Sequence, residues 1–188
     1  IPLTLSNDDP DAPVMTTRTL VLNEPSERFV FTNVTQPVVP SLLRGFSAPV
    51  VLDIDLSDLQ WLHLLAHDSD PFNQWEASQR LALGRLLGAI RQGDEVALDE
   101  AYLNALRAVL RHPSLAPGFK ELVLTLPSET YIAEQCAQVD PPRIHQVREA
   151  MRLQLATRLQ ADWAMIYEAN QDTGNYKPDA ASSGRRAL

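Results

Sequence analysis

Residues 49–60, PVVLDIDLSDLQ, hold the change of period that decides the fold. Leu52, Ile54 and Leu56 alternate with Asp53 and Asp55, the two-residue period of a half-buried strand. At Ser57 the alternation stops. Ser57-Asp58-Leu59-Gln60 has the form of a capping box, in which the serine accepts from the amide three residues on and the glutamine reaches back. A helix is expected to start there and to bury Leu59, Leu62 and Leu65.

Upstream of that point the chain reads as strands. Residues 1–56 carry half of its 14 prolines. Ile1–Leu5, Thr16–Leu22, Arg28–Val34 (RFVFTNV) and Pro49–Leu56 are the candidates, punctuated by the turn sequences Asn7-Asp8-Asp9-Pro10 and Asn23-Glu24-Pro25-Ser26. Three or four short strands with proline-rich links predict part of a small antiparallel β-sandwich, too few to close one.

Downstream the period is 3.6. Asp70-Pro71 predicts the cap and first turn of a helix carrying Phe72, Trp75, Leu83, Leu86 and Ile90. That helix is apolar around most of its girth and calls for cover on several sides. Gly84 and Gly88, four apart on it, are read as small residues for close helix packing. Further helices are expected near Leu98–Arg111, Pro117–Thr125 and Glu129–Ala137. Asp140-Pro141-Pro142 opens the longest, to about Asn170, with Ile144, Val147, Met151, Leu155, Leu159, Trp163 and Ile166 on one stripe. Trp75 and Trp163, on such stripes, are expected to be largely buried. The fold class is therefore mixed and mainly α: residues 1–56 a partial antiparallel β-sandwich, residues 57–188 an α-helical array or superhelix.

Composition narrows the function. A formal net charge of -8 repels phosphate backbones and anionic lipid, so neither nucleic acid nor a membrane surface is the expected partner. The most apolar stretch, Leu81–Ile90, is interrupted by Arg85 and too short to span a bilayer. The single cysteine, Cys136, has no internal disulfide partner and reads as a packed helix position; a reducing, cytoplasmic location is expected.

Several motifs imitate active sites. His63-Leu64-Leu65-Ala66-His67 puts two imidazoles on one helix face, as in the zincin HExxH, but Leu64 stands where the general base must be Glu, and no Glu occurs between Glu76 and Glu95 to act as third ligand. A solvated face is the better reading. Asp68-Ser69-Asp70 is read as an interhelical turn with Asp70 as cap rather than as a cation site. Gly45-Phe46-Ser47-Ala48-Pro49 lacks the last glycine of a nucleophile elbow, and Pro49 begins a strand where the elbow needs a helix. Asn33-Val34-Thr35 is a glycosylation sequon, meaningful only in a secreted eukaryotic protein. Nothing assembles a nucleophile, a base and an oxyanion donor.

Four stretches carry a family resemblance. Residues 37–50 (PVVPSLLRGFSAPV), 70–77 (DPFNQWEA), 124–129 (LTLPSE) and 147–150 (VREA) are similar, in order and spacing, to the bacterial aminopeptidase N family. That resemblance implies a gluzincin metalloaminopeptidase of four domains, in which one zinc, held by two His and a Glu, activates water to remove the N-terminal residue from peptides. This chain matches the end of the β-sandwich domain and the start of the helical domain. No zinc ligand, catalytic or cofactor-binding residue is carried onto any position here. The implied partners are peptide substrates and an upstream catalytic domain in cis. The implied role is to join that domain to the helical cap over the peptide chamber. The rival reading is a free-standing helical-repeat module that recruits a protein partner.

The chain starts at Ile1 without Met and stops at Leu188, just after Gly184-Arg185-Arg186-Ala187 begins a further helix, so both ends read as cut. A sandwich lacking strands leaves unpaired edges, with Phe29, Phe31, Val50 and Val51 most in need of cover, and self-association through residues 1–56 is expected. Two measurements check these expectations. Protein purified without chelator should hold no stoichiometric zinc and cleave no aminoacyl-anilide; one zinc per chain, lost on mutating His63, would revive a metal site there. Light scattering should show association of the whole chain and its loss in a version starting at Asp55.

Overall fold

The computed structural model describes residues 2–9, 11, 13 and 15–188. Ile1, at the start of the first expected strand, and Pro10, in the first expected turn, lie outside the described residues. The chain divides into two compact units, Ile1–Pro40 and Ser41–Leu188.

In the first unit, β1 (Thr4–Leu5) pairs antiparallel with β2 (Phe31–Thr32), Thr4 opposite Thr32 and Leu5 opposite Phe31. Leu3 adds an isolated bridge to Met15. A two-pronged ion pair from Arg18 to Asp8 braces the turn after β1, with distances of 2.9 and 2.6 Å, and Asp8 also accepts from the Leu5 amide at 2.8 Å. The expected strands at Thr16–Leu22 and Pro49–Leu56 are absent as ladders among the described residues. Both have strand-forming composition, but a strand is made by its neighbour. Val21, Leu22 and Val51 stand exposed at 60%, 70% and 97%.

The second unit holds eight α-helices among the described residues: α1 (Asp58–His67), α2 (Pro71–Gln92), α3 (Glu100–Arg111), α4 (Pro117–Leu124), α5 (Glu129–Glu134), α6 (Pro141–Arg158), α7 (Gln160–Ala169) and α8 (Ala180–Ala187). The chain is thus mainly helical with a small antiparallel sheet, the fold class its periodicities predict. Short side chains start most of these helices. Ser57, Asp70, Asp99, Ser128, Asp140 and Asp179 each accept from the amide three residues on. The capping box at Ser57 and Gln60 is complete, with the Ser57 amide donating to Gln60 Oε1 at 2.9 Å.

α2 lies among α1, α4, α5 and α6, and α3 packs on α1, α4 and α7. Leu65, Leu81, Leu86, Leu103, Leu110, Ile144 and Met151 form the core between them. At the crossing of α4 and α8, two glycines let the backbones touch: a Cβ on Gly184 would stand 2.7 Å from the Gly118 nitrogen. Gly84 and Gly88, expected to permit close packing, do not; a Cβ on either would meet nothing within 4 Å.

Four other expectations are corrected. α1 buries Leu62, Leu64 and Leu65, while Leu59 in its first turn is 75% exposed, because α2 and α3 cover the later turns. The single long helix expected to Asn170 breaks at Leu159 (φ -109, ψ 17) into α6 and α7. Side chains explain the break. Arg107 Nη2 donates to the Arg158 carbonyl at 3.2 Å, Trp163 Nε1 to the Leu155 carbonyl at 3.2 Å, and Thr157 Oγ1 to the Leu153 carbonyl at 2.8 Å. Carbonyls drawn outward in this way bend a helix. Leu159 and Ile166 stay buried, so the stripe continues through the bend without recording it. Trp75 and Trp163 are half-buried rather than largely buried, and Cys136 lies past the end of α5, its Sγ 3.3 Å from the Ile132 carbonyl.

These differences separate two leucines of one helix. Leu65→Ala should cost about 2–5 kcal/mol of unfolding free energy, the range for a filled core site. Leu59→Ala should stay within about 0.5 kcal/mol. Urea unfolding of both variants, followed by circular dichroism, measures the contrast.

Candidate functional site

The four stretches that carry the family resemblance pair off in space. The first meets the second at the corner between α1 and α2. Ser41 Oγ accepts from Arg44 Nη1 at 2.7 Å and from Asn73 Nδ2 at 3.0 Å. Arg44 reaches on to Asp68 Oδ1 and to Ser69 Oγ, each at 2.8 Å. Asp70 accepts from the Asn73 amide with one oxygen at 3.0 Å and from the Gly45 amide with the other at 2.9 Å. The Phe46 ring lies 5.2 Å from Phe72, which lies 5.9 Å from Trp75. Asp68 Oδ2 is buried and makes no hydrogen bond among the described residues.

The third stretch meets the fourth at the start of α5. Ser128 caps α5, and the carbonyl before it, on Pro127, accepts from Arg148 Nε at 2.9 Å. Val147 beside that arginine is buried, while Glu149 turns to Arg152 Nε at 2.9 Å. Next to this pair a groove of about 300 Å³ is lined by Leu124, Thr125, Leu126, Arg148, Arg152, Leu155, Ala156 and Trp163. It offers an indole, aliphatic side chains, the Thr125 hydroxyl and two guanidinium groups, with no carboxylate, histidine or cysteine among its lining residues.

The imitative motifs fall as follows. His63 and His67 are exposed on α1 with ring centroids 5.1 Å apart, and among the described residues no third His, Cys, Asp or Glu groups with them to hold a metal. The pair therefore does not fit the zinc that the resemblance implies. Asp68-Ser69-Asp70 is the turn between α1 and α2, with Asp70 as N-cap. Gly45 and Phe46 lie in a single 3-10 turn, Arg44–Phe46, which puts no serine at a strand-to-helix elbow. Asn33 is exposed just past β2. No helix among the described residues is long and apolar enough to cross a membrane.

Charge is concentrated in clamps between helices. Arg85 on α2 bonds Asp58 at 2.8 Å and Asp99 at 2.6 Å while its guanidinium lies 4.5 Å from the centre of the Tyr102 ring. Burial pushes the Tyr102 hydroxyl far above its ordinary pKa. Burial also pushes the Asp99 carboxyl upward, but hydrogen bonds from Arg85 and the Tyr102 amide, with the Arg85 charge, outweigh it and hold the group below its usual value. Arg111 and Arg107 grip Asp162 of α7 at 2.6 and 3.4 Å, and that carboxylate is buried. Burial lowers the pKa of Lys120, whose Nζ donates to the Leu110 carbonyl at the end of α3 at 2.7 Å. Spacing along the sequence gave no sign of these long-range pairs.

Residues 58–188 match the family described as "Domain of unknown function (DUF3458_C) ARM repeats", and residues 1–55 match "Domain of unknown function (DUF3458) Ig-like fold". Residues 41–55 thus match the Ig-like description while packing within the helical unit. Aminopeptidase N of Caulobacter vibrioides is 34% identical over 172 residues, 92% of this chain and 20% of that protein. Aminopeptidase N of Escherichia coli is 35% identical over 172 residues, 90% of this chain and 20% of that protein. The crystal structure of Legionella pneumophila aminopeptidase A in complex with aspartic acid superposes with a TM-score of 0.71 at 24% identity, covering 86% of this chain and 21% of that one; it shows the fold. The chain spans about a fifth of the length of the curated relatives it matches. The alignments bear out the resemblance to aminopeptidase N.

Because the folded pKa of Asp99 is depressed, its stabilisation is complete above the ordinary carboxylate value of about 4 and is lost as the pH falls through the folded value. Asp99→Asn keeps a capping side chain for α3 but removes the charge. The variant should be less stable than the parent at pH 7 and should show a shallower loss between pH 5 and 3. Urea midpoints across that range test it.

Proposed function

Because the chain belongs to the ARM-repeat family that matches residues 58–188, we propose that it is a non-catalytic part of a zinc-dependent aminopeptidase that removes N-terminal residues from peptides. One observation carries the reading: sequence identity to aminopeptidase N extends over 92% of the chain, through both the Ig-like and the helical match. In this reading the chain links a catalytic domain to a helical cap over the peptide chamber, and the protein works in the cytoplasm. Zinc belongs to the whole enzyme and is held outside these residues, since His63 and His67 do not fit it. What the chain's own residues supply is a rigid wall. Interhelical clamps at Arg85, Arg107 and Arg111 hold the helices that would form it. A wall that admits extended peptides and excludes folded chains favours exopeptidase action on small substrates.

The test compares two proteins. The full-length product of the gene should release the leaving group from aminoacyl-anilides, lose that activity to a zinc chelator and regain it on adding zinc. The 188-residue chain should do none of this. A full-length product that neither binds zinc nor cleaves these substrates would sink the peptidase reading and favour the binding module.

A further inference from the structure

The backbone between Leu43 and Phe46 runs against its own preferences. Leu43 (φ 53), Gly45 (φ 62) and Phe46 (φ 54) all occupy the left-handed region, which suits the glycine and is disfavoured for the leucine and the phenylalanine. Such conformations persist only where the surroundings over-determine them. Here the surroundings are explicit. The Arg44 guanidinium, between the strained residues, is held by three acceptors: Ser41 Oγ, Asp68 Oδ1 and Ser69 Oγ. The Asp68 side chain is only 2% exposed, so its ion pair with Arg44 is sheltered on the acid side. Gly45 donates its amide to Asp70, the residue that caps α2, so the start of that helix and the hold on the 3-10 turn share one carboxylate. Phe46 closes the arrangement against Phe72.

We propose that residues 41–46 form a clasp seated on the α1–α2 corner, with Arg44 as the positioning residue that keeps it shut. The corner is a docking surface, and its occupant is this segment of the same chain. The segment is matched to the corner in charge, because Arg44 is set against Asp68, and in shape, because Phe46 is set against Phe72. It is also spring-loaded: without Arg44 the Gly45–Asp70 bond and the Phe46–Phe72 contact are left alone against the left-handed leucine and phenylalanine, and the turn relaxes away from the corner. The helical unit therefore begins at Ser41 in its packing, well before its first α-helix. This rests on packing and stands apart from the peptidase reading.

Amide hydrogen exchange on the 188-residue chain, read residue by residue by NMR, tests the clasp. The Gly45 amide should be protected, although it lies in a half-open turn. Arg44→Ala should speed its exchange about ten- to hundredfold, the effect of losing a charge-assisted bond. Arg44→Lys should fall between the two, since an ammonium group cannot bridge three acceptors in a fork. Amides of Leu103 and Leu110 in α3 should keep their rates in both variants. A Gly45 amide that is unprotected in the parent, or equally protected in Arg44→Ala, would overturn the clasp. So would α3 amides that accelerate as much as Gly45, because Arg44 would then stabilise the unit as a whole.

Discussion

A helix covered on several sides has to satisfy every polar group it takes out of water, and α2 sets that condition for the whole helical unit. It packs against α1, α4, α5, α6 and the Arg44–Phe46 turn. Its buried face includes Asn73, Gln74 and Ser78 as well as Ala77, Leu81 and Leu86. Each polar side chain ties it to a particular neighbour. Asn73 donates to Ser41, Gln74 Nε2 to the Leu65 carbonyl at 3.2 Å, and Ser78 Oγ to the Val123 carbonyl at 2.5 Å. Its ends are served in the same way. Asp70 caps the first turn; Gly93, at φ 75, closes the last. Arg143, from the start of α6, donates to the carbonyls of Ala89 and Asp94. Apolar burial supplies the drive to pack, but these bonds choose which helix lies where.

Many of the chain's carboxylates serve the same end. Four of the six residues that cap helices by accepting an amide are aspartates, at positions 70, 99, 140 and 179. Carboxylates there complement the positive end of the helix dipole. Others, at positions 58, 100 and 162, face arginines of neighbouring helices, and Asp68 faces Arg44 of the 3-10 turn. Arginine suits this use better than lysine, because its planar fork meets two or three acceptors at once. Arg85 and Arg44 both do so.

What could be read in advance follows from the range of each interaction. Caps act over three residues, so Ser57, Asp70 and Asp140 announced their helices correctly from local sequence. The amphipathic stripe through Ile144, Val147, Met151 and Leu155 was equally plain. Interactions that close over long separations left no local mark. At the bend at Leu159, Arg107 bonds a carbonyl 51 residues away. The clasp depends on an arginine 24 residues from its aspartate. Leu59 and Leu64 sit on one helix with similar local surroundings, and only the placement of α2 and α3 decides which is buried. Thr16–Leu22 has strand composition, but strand formation is a property of a pair, and among the described residues no partner takes it up.

The motif that most resembled chemistry, His63 to His67, is an exposed helix face, whereas the stretches that carried the family resemblance do structural work in the fold. Their most specific-looking residues have local tasks: Asp70 and Ser128 are caps, Asn73 and Arg148 tie one stretch to another, and Phe72 supports Phe46. Each task fixes a residue type by geometry as strictly as catalysis would. A cap needs a short acceptor, a bridge to a carbonyl needs a donor of set reach, and a stacked pair needs two rings. A recognisable motif is therefore evidence of constraint before it is evidence of reactivity. In this chain the constraint is the mutual position of helices.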